Sequence, residues 1–333
     1  MERTSGRNRV RKLGGLALAL LIASSLAHMQ LQAQAPTLSK EYIRLGGRIL
    51  AIEQAVPLGY AAPVYETWNY LTNSDNVAPY VLVGAGDFDR NGVPDLVYMN
   101  TTTSQVIVNY YGGTGGATLI GSAWLDEAGA PGWTVVAVAD MNGDGVPDLI
   151  WQDNATAQVT VHYYGGVGGA TDIGWNWMNQ NNNSGWTVAG AADFDGNGTP
   201  DLVWQDQSTA QVTVHYYSYV GGVPTDTGWN WLDQAGASGW SVRAVADMNG
   251  DGVPDLIWED NSTGQATVHF YGGAGGAVDE GWAWLRNGVS APGWRIAAAA
   301  DFNGDGTPDL VWQNYSSSSY PLWTVTVNYY GPG

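Results

Sequence analysis

Residues 132–153 read GWTVVAVADMNGDGVPDLIWQD, two strand-like runs joined by an acidic turn. Val, Ile, Thr and Trp supply the runs, while Gly, Pro, Asn and Asp fill the turn, as expected of two β-strands around a tight connection. The phrase occurs five times. Its turn reads DFDRNGVPD from Asp87, DMNGDGVPD from Asp140, DFDGNGTPD from Asp193, DMNGDGVPD from Asp247 and DFNGDGTPD from Asp301, at steps of 53 or 54 residues. A fixed period of this length marks one supersecondary unit repeated, with stacked neighbours sharing a core.

Each turn sets oxygen-bearing side chains at positions 1, 3, 5 and 9 and a glycine at position 6. In the first turn these are Asp87, Asp89, Asn91 and Asp95; in the second, Asp140, Asn142, Asp144 and Asp148. The third has Asp193, Asp195, Asn197 and Asp201, the fourth Asp247, Asn249, Asp251 and Asp255, the fifth Asp301, Asn303, Asp305 and Asp309. This spacing suits calcium, a hard cation that gathers six to eight oxygens around a sharp turn. About five ions are expected, one per loop. With a position-7 carbonyl added, little metal face stays open for catalysis, so the sites are expected to be structural. Position 12 holds Tyr98, Trp151, Trp204, Trp258 or Trp312 where an EF-hand needs Glu, so these are not EF-hands.

The rest of the unit continues in strands. After WQDN a short polar turn leads to VTVHYYGG, and a glycine-rich turn leads to IGWNWMNQ. Four strands per unit and five units predict an all-β fold, a five-bladed β-propeller of four-stranded blades with calcium loops. The first strand of each unit is rich in Gly and Ala near its loop, which suits the narrow centre of a ring. Arg243 interrupts that pattern and is read as reaching into a watery channel. The last unit stops after its third strand, TVTVNYYGPG, whereas ETWNYL (Glu66–Leu71) aligns with the fourth strands of other units. The N-terminal strand is therefore expected to complete the last blade and remove two open sheet edges. Donated to a neighbouring copy, the same strand would instead join rings into a fibre. Glu41–Glu53 reads as a further hairpin turning at Gly46 and Gly47.

Residues 1–35 read as a signal peptide for export. Arg3, Arg7, Arg9, Arg11 and Lys12 precede an apolar run from Leu13 to Ala27, too short to span a membrane, and small residues end at Ala35. The expected division is 1–35 signal, 36–64 extension and 65–333 propeller. Beyond residue 35 there are seven basic and thirty acidic residues, a net charge of −23. Nucleic acid is not an expected partner, because phosphate binding needs clustered Lys and Arg. Fifteen of the thirty carboxylates sit in the five loops, so the charge is placed for ligation rather than spread as a coat. The absence of Cys excludes disulfides, thiolate zinc sites and a Cys nucleophile.

Five DxDxDGxxDL-type loops in register, each between strands and most followed by a WQD-like phrase, resemble FG-GAP/VCBS repeats over residues 65–333. The resemblance implies calcium-binding propeller blades related to those of integrin α subunits and certain fungal lectins. Clear FG and GAP words are missing, so integrin partner surfaces are not implied. Sixteen of the 17 Trp residues fall in repeat register. Trp133, Trp186, Trp240 and Trp294 open the first strands and are read as blade-to-blade packing, with stacking on sugar rings as the alternative. His162, His215 and His269 share one repeat position; ring symmetry keeps them apart, which gives them a structural or solvent-facing role. No Ser–His–Asp elbow, HExxH or phosphate cradle is present, and the GGxGG phrases join strands as turns. The expected function is non-catalytic extracellular recognition, with adhesion to a glycan or protein surface, by a protein that is secreted or at the cell surface. A self-assembling extracellular filament and an accessory propeller of a polysaccharide-active enzyme are the alternatives.

Overall fold

Apolar residues at period two, punctuated by Gly and Asx turns, give the chain little option but short antiparallel strands. The computed structural model describes residues 41–45, 48–53, 62–72, 79–289, 291–316 and 321–332. The expected export signal lies outside the described residues, as do Gly46 and Gly47. Strands β1 (Glu41–Leu45) and β2 (Arg48–Glu53) pair antiparallel, in a unit separate from the one spanning Tyr60–Gly333.

The second unit begins with β3 (Val64–Thr72). Blade 1 is β4 (Tyr80–Gly86), β5 (Asp95–Asn100), β6 (Val106–Gly112) and β7 (Thr118–Asp126). Blade 2 is β8 (Trp133–Ala139), β9 (Asp148–Asp153), β10 (Val159–Gly165) and β11 (Thr171–Asn179). Blade 3 is β12 (Trp186–Ala192), β13 (Asp201–Asp206), β14 (Val212–Val220) and β15 (Val223–Asp233). Blade 4 is β16 (Trp240–Ala246), β17 (Asp255–Asp260), β18 (Ala266–Gly272) and β19 (Val278–Trp284). Blade 5 takes β20 (Trp294–Ala300), β21 (Asp309–Asn314) and β22 (Val325–Gly331) from the end of the chain and β3 from its front. There Asn328 faces Trp68 as His162 faces Trp175 in blade 2. Helix among the described residues is confined to four short 3-10 turns.

The first strands of successive blades neighbour one another in a closed ring, with β20 against β4. Each carries a bulge at the same place, where the register skips Val83, Val136, Ala189, Arg243 and Ala297. A bulge turns its extra side chain away from the ladder. Here all five line the central channel, whose interior of about 70 Å³ is otherwise walled by Gly84, Ala137, Ala298 and similar small residues.

Three recurrent contacts lock one blade to the next. The first is a clip from the second strand. Gln205 accepts a hydrogen bond from Val242 N (3.1 Å) and donates to Trp240 O (3.4 Å), and Gln152 does the same with Val188 N and Trp186 O. Gln313 accepts from Leu82 N (2.9 Å) across the closure of the ring. In blade 1 the thioether of Met99 stands 3.5 Å from Val135 N, and in blade 4 Glu259 accepts from Ile296 N (2.7 Å). The second is a latch: the hydroxyls of Tyr110, Tyr216 and Tyr329 donate to the carbonyls of Gly168, Gly275 and Gly115. The third is the glycine turn itself. Gly169, Gly276 and Gly116 have left-handed φ and press so closely on the Phe88, Phe194 and Phe302 carbonyls that a Cβ would collide.

Blades 3 and 5 lack that glycine turn. In blade 3, β14 and β15 form a longer hairpin; in blade 5, the third and fourth strands come from opposite ends of the chain. The preceding acidic loops carry Met141 and Met248 instead of Phe, and Phe270 replaces the latch Tyr ahead of blade 5, which has no glycine turn. Tyr163, facing blade 3, turns to Tyr219 instead, with ring centroids 6.0 Å apart. Between blades the core is dense. Val97, Met99, Val106 and Val108 of blade 1 pack on Val135, Leu149 and Trp151 of blade 2, each worth about 1.5–3 kcal/mol when fully buried.

Candidate metal loops and the aromatic outer surface

In every acidic loop the first carboxylate wraps the chain around itself. Asp193 accepts from Gly196 N (2.8 Å), Asn197 N (3.1 Å) and Gly198 N (2.7 Å), and Asp87 accepts from Asn91 N and Gly92 N. The position-5 side chain accepts from the position-7 N–H, as Asn91 does from Val93 and Asp144 from Val146. These Asx bonds are the local reason for this short sequence to turn so tightly.

Position 9 opens the second strand and is fully buried in all five blades. Asp95 accepts from Phe88 N and Tyr111 N, both at 2.9 Å; Asp201 accepts from Phe194 N (2.9 Å) and Tyr217 N (2.7 Å). Burial pushes the carboxyls of Asp95, Asp148, Asp201 and Asp309 up to about 7 and that of Asp255 to about 8, against the pull of those N–H donors. A carboxylate kept so dry calls for a compensating positive charge.

The loops differ in how their acids gather. Carboxylate oxygens of Asp87, Asp89 and Asp95 lie within 4.8 Å of one another, and so do those of Asp193, Asp195 and Asp201. Both loops have Asp at position 3 and Asn at position 5. The other three reverse the order, and the amides of Asn142, Asn249 and Asn303 donate to Asp144, Asp251 and Asp305 at 2.9–3.1 Å. Among the described residues, converging acidic triads occur in the first and third loops. The donors there are all oxygens and the buried acid has no ion-pair partner among the described residues, so these two clusters fit a hard divalent ion. Beside the second loop, Arg90 donates to Asp144 O (2.8 Å) and Gly145 O (3.2 Å), tying loop 1 to loop 2.

The aromatic residues divide into two sets. Trp151, Trp204, Trp258 and Trp312 on the second strands are core. The outer strands have no further strand to cover them, and their indoles reach solvent: Trp175 is 53% and Trp229 56% exposed, with Trp68, Trp124 and Trp284 near two-fifths. Two of these rings are braced by an imidazole. Trp175 lies parallel to His162 (6.1 Å, 17°) and Trp229 to His215 (6.3 Å, 21°), while the imidazole Nδ1 of each His is 3.2 Å from Asp172 or Asp226. His269 is similarly stacked on Trp282. The three His sit in three different blades.

Trp133, Trp186, Trp240 and Trp294 are partly buried against the cores between neighbouring blades, as expected. Trp133, Trp186 and Trp240 also meet Trp177, Trp231 and Trp284 of their own blades at 6.1, 6.4 and 6.2 Å. Trp side chains two apart on an outer strand share a face, and in GWNWM that spacing was the available sign of an exposed aromatic pair.

No helix among the described residues is long and apolar enough to cross a membrane. An FG-GAP-like repeat model matches residues 87–151 and 247–312. FG-GAP-like repeats in these two regions and five blades in one ring together support a β-propeller of the FG-GAP type. No curated protein sequence matches it. Among solved structures, a Staphylococcus aureus phage tail fibre is similar over 80% of this chain and 53% of its own, at 12% identity and a TM-score of 0.45. The Photorhabdus luminescens Tc holotoxin pore is similar over 83% of this chain, which spans only 15% of that chain, at 15% identity and TM-score 0.40. A Bacillus licheniformis rhamnogalacturonan lyase is similar over 85% of this chain and 78% of its own, at 16% identity and TM-score 0.37. Likeness at this level carries no inference about ligand or activity.

Proposed function

We propose that this protein is an exported, calcium-binding propeller without catalytic activity, which recognises glycans through its outer strands. The observation that carries the reading is the pair of half-exposed indoles Trp175 and Trp229, each stacked on a neighbouring imidazole. A flat, rigid aromatic face suits the apolar side of a sugar ring, and its rigidity spares the entropy of ordering it on binding. Asp172 and Asp226 beside the rings supply acceptors for sugar hydroxyls. In this reading the acidic loops are struts: the side chains at positions 1, 3, 5 and 9 hold calcium and stiffen one end of each blade, the triads of loops 1 and 3 first.

A glycan array probed with the calcium-loaded exported form is the test. Binding to a defined glycan is expected, and loss of that binding in W175A/W229A with an unchanged circular dichroism spectrum. A protein that binds no glycan, or whose binding survives both substitutions, would remove the reading.

A further inference from the structure

In a repeat protein the informative residues are those that break the repeat, and here four breaks meet at one junction. The channel-facing bulge is apolar in four blades (Val83, Val136, Ala189, Ala297) and Arg243 in blade 4. The clip is Gln or Met in four blades and Glu259 in blade 4. The second residue of the inner strand is Val81, Thr134, Thr187 or Ser241, but Arg295 in blade 5. The first residue after the second strand is Thr101, Asn154, Gln207 or Asn261, but Tyr315 in blade 5.

These four residues surround one end of the channel, where the inner strands begin, opposite the acidic loops that follow their ends. Arg243, Arg295 and Tyr315 line a cavity of about 300 Å³ there, together with polar Thr187, Gln205, Gln207 and Ser241. Glu259, Arg295 and Tyr315 also line an adjoining cleft of about 220 Å³. Arg243 donates from Nη2 to Asn261 Oδ1 (2.8 Å), and its Nε is 3.7 Å from Glu259 Oε1 with no hydrogen-bond partner. Arg295 rests over the Tyr315 ring at 5.2 Å and has no carboxylate partner among the described residues. Glu259 is only 2% exposed and is already engaged by Ile296 N.

Two guanidiniums thus face one carboxylate, leaving a positive surplus in a strongly acidic chain. Of the four Arg in the propeller unit, Arg90, Arg243, Arg286 and Arg295, half are spent here. A lone structural ion pair would need only one of them. We infer that the channel mouth is a binding site for a small sugar acid of about hexuronate size, its carboxylate held by Arg243 and Arg295. Guanidinium donors match a planar carboxylate. The cavity is at the small end for ligand pockets, which suits a single ring; Thr187, Gln205, Gln207 and Ser241 offer partners for ring hydroxyls, and Val, Leu, Ile and Ala side chains complete the lining. The site is independent of the outer aromatic surface.

Isothermal titration of the calcium-loaded protein with glucuronate, glucose and inorganic phosphate tests it. Saturable binding of glucuronate is expected, with none for glucose and weaker binding of phosphate. R295A, at an exposed position, should weaken glucuronate binding by about tenfold or more. E259Q restores the glutamine that other blades carry and removes the competing carboxylate, so it should fold normally and bind glucuronate more tightly. W175A should leave glucuronate binding unchanged, whatever it does to glycans on the outer surface. Absence of saturable glucuronate binding, equal affinity for glucose or phosphate, or insensitivity to R295A overturns the site. So does an E259Q that loses thermal stability with unchanged affinity, the behaviour of a purely structural ion pair.

Discussion

Replacing Gln205 by Ala removes one of the clips between blades, and the structure sets its cost. The bond accepted from Val242 N at 3.1 Å is worth about 1 kcal/mol net, and the longer one to Trp240 O at 3.4 Å less. Val242 is buried, so its stranded N–H adds about 1–2 kcal/mol for a donor without partner or water. The expected total is about 3 kcal/mol. The chain contains its own control: Met99 occupies the same place in blade 1, with its sulfur toward Val135 N. Q205M keeps the volume and a weak acceptor, so its cost should be nearer 1 kcal/mol, chiefly the difference between an amide and a thioether acceptor. Urea unfolding followed by tryptophan fluorescence reads both, provided the m-values agree with that of the parent. A Q205A variant within about 0.5 kcal/mol of the parent, or a Q205M as costly as Q205A, would refute the clip as a device that holds blades together.

Further outcomes follow from the same contacts. Y329F removes the latch to Gly115 across the ring closure and should cost about 1 kcal/mol, whereas F270Y meets no glycine-turn carbonyl and should gain nothing; thermal melts compare the two. Calcium should raise the melting temperature, and excess chelator should reverse the rise; an unchanged melt contradicts metal in the loops. The position-9 carboxyls have folded pKa values raised to about 7 or 8, so without metal their stabilising protonated form is present at low pH and lost as pH rises through that range. Calcium needs the ionised form; at pH 6 about one-tenth of a group titrating near 7 is ionised, so apparent affinity should fall about tenfold between pH 8 and pH 6. Equal calcium-dependent shifts at both pH values would contradict that coupling. D195N breaks the third-loop triad at an exposed position; it should leave the chelated protein's melt within about 0.5 kcal/mol of the parent and diminish the calcium response. A variant with its full calcium response would argue against Asp195 as a ligand.

What lies within one unit was legible from spacing. Strands from Trp133, Asp148, Val159 and Thr171, the acidic turn between the first two, and the small residues of the inner strand all follow from neighbours along the chain. Pairing of β3 with β22 was legible too, because a missing strand at one end matched a surplus strand at the other. The loops were legible as oxygen clusters, but not the gathering of three carboxylates in loops 1 and 3 alone, which depends on whether position 3 or position 5 carries the acid. The exposure of the outer Trp was not legible, because periodicity records that positions are equivalent without recording which side is covered. Only the closed ring decided that.

Contacts between blades belong to tertiary structure in the same sense. Sequence alone presents Phe88, Phe194 and Phe302 against Met141 and Met248 as noise in a repeat; the fold matches each Phe to a glycine turn docking from the next blade. Arg243, Glu259, Arg295 and Tyr315 span 73 residues of chain as scattered exceptions, and ring geometry brings them to one mouth. Local hydrogen bonds and side-chain alternation act between near neighbours and are written in spacing. Which surfaces face each other across a blade junction is settled by ring closure, an interaction between residues that the chain itself keeps far apart.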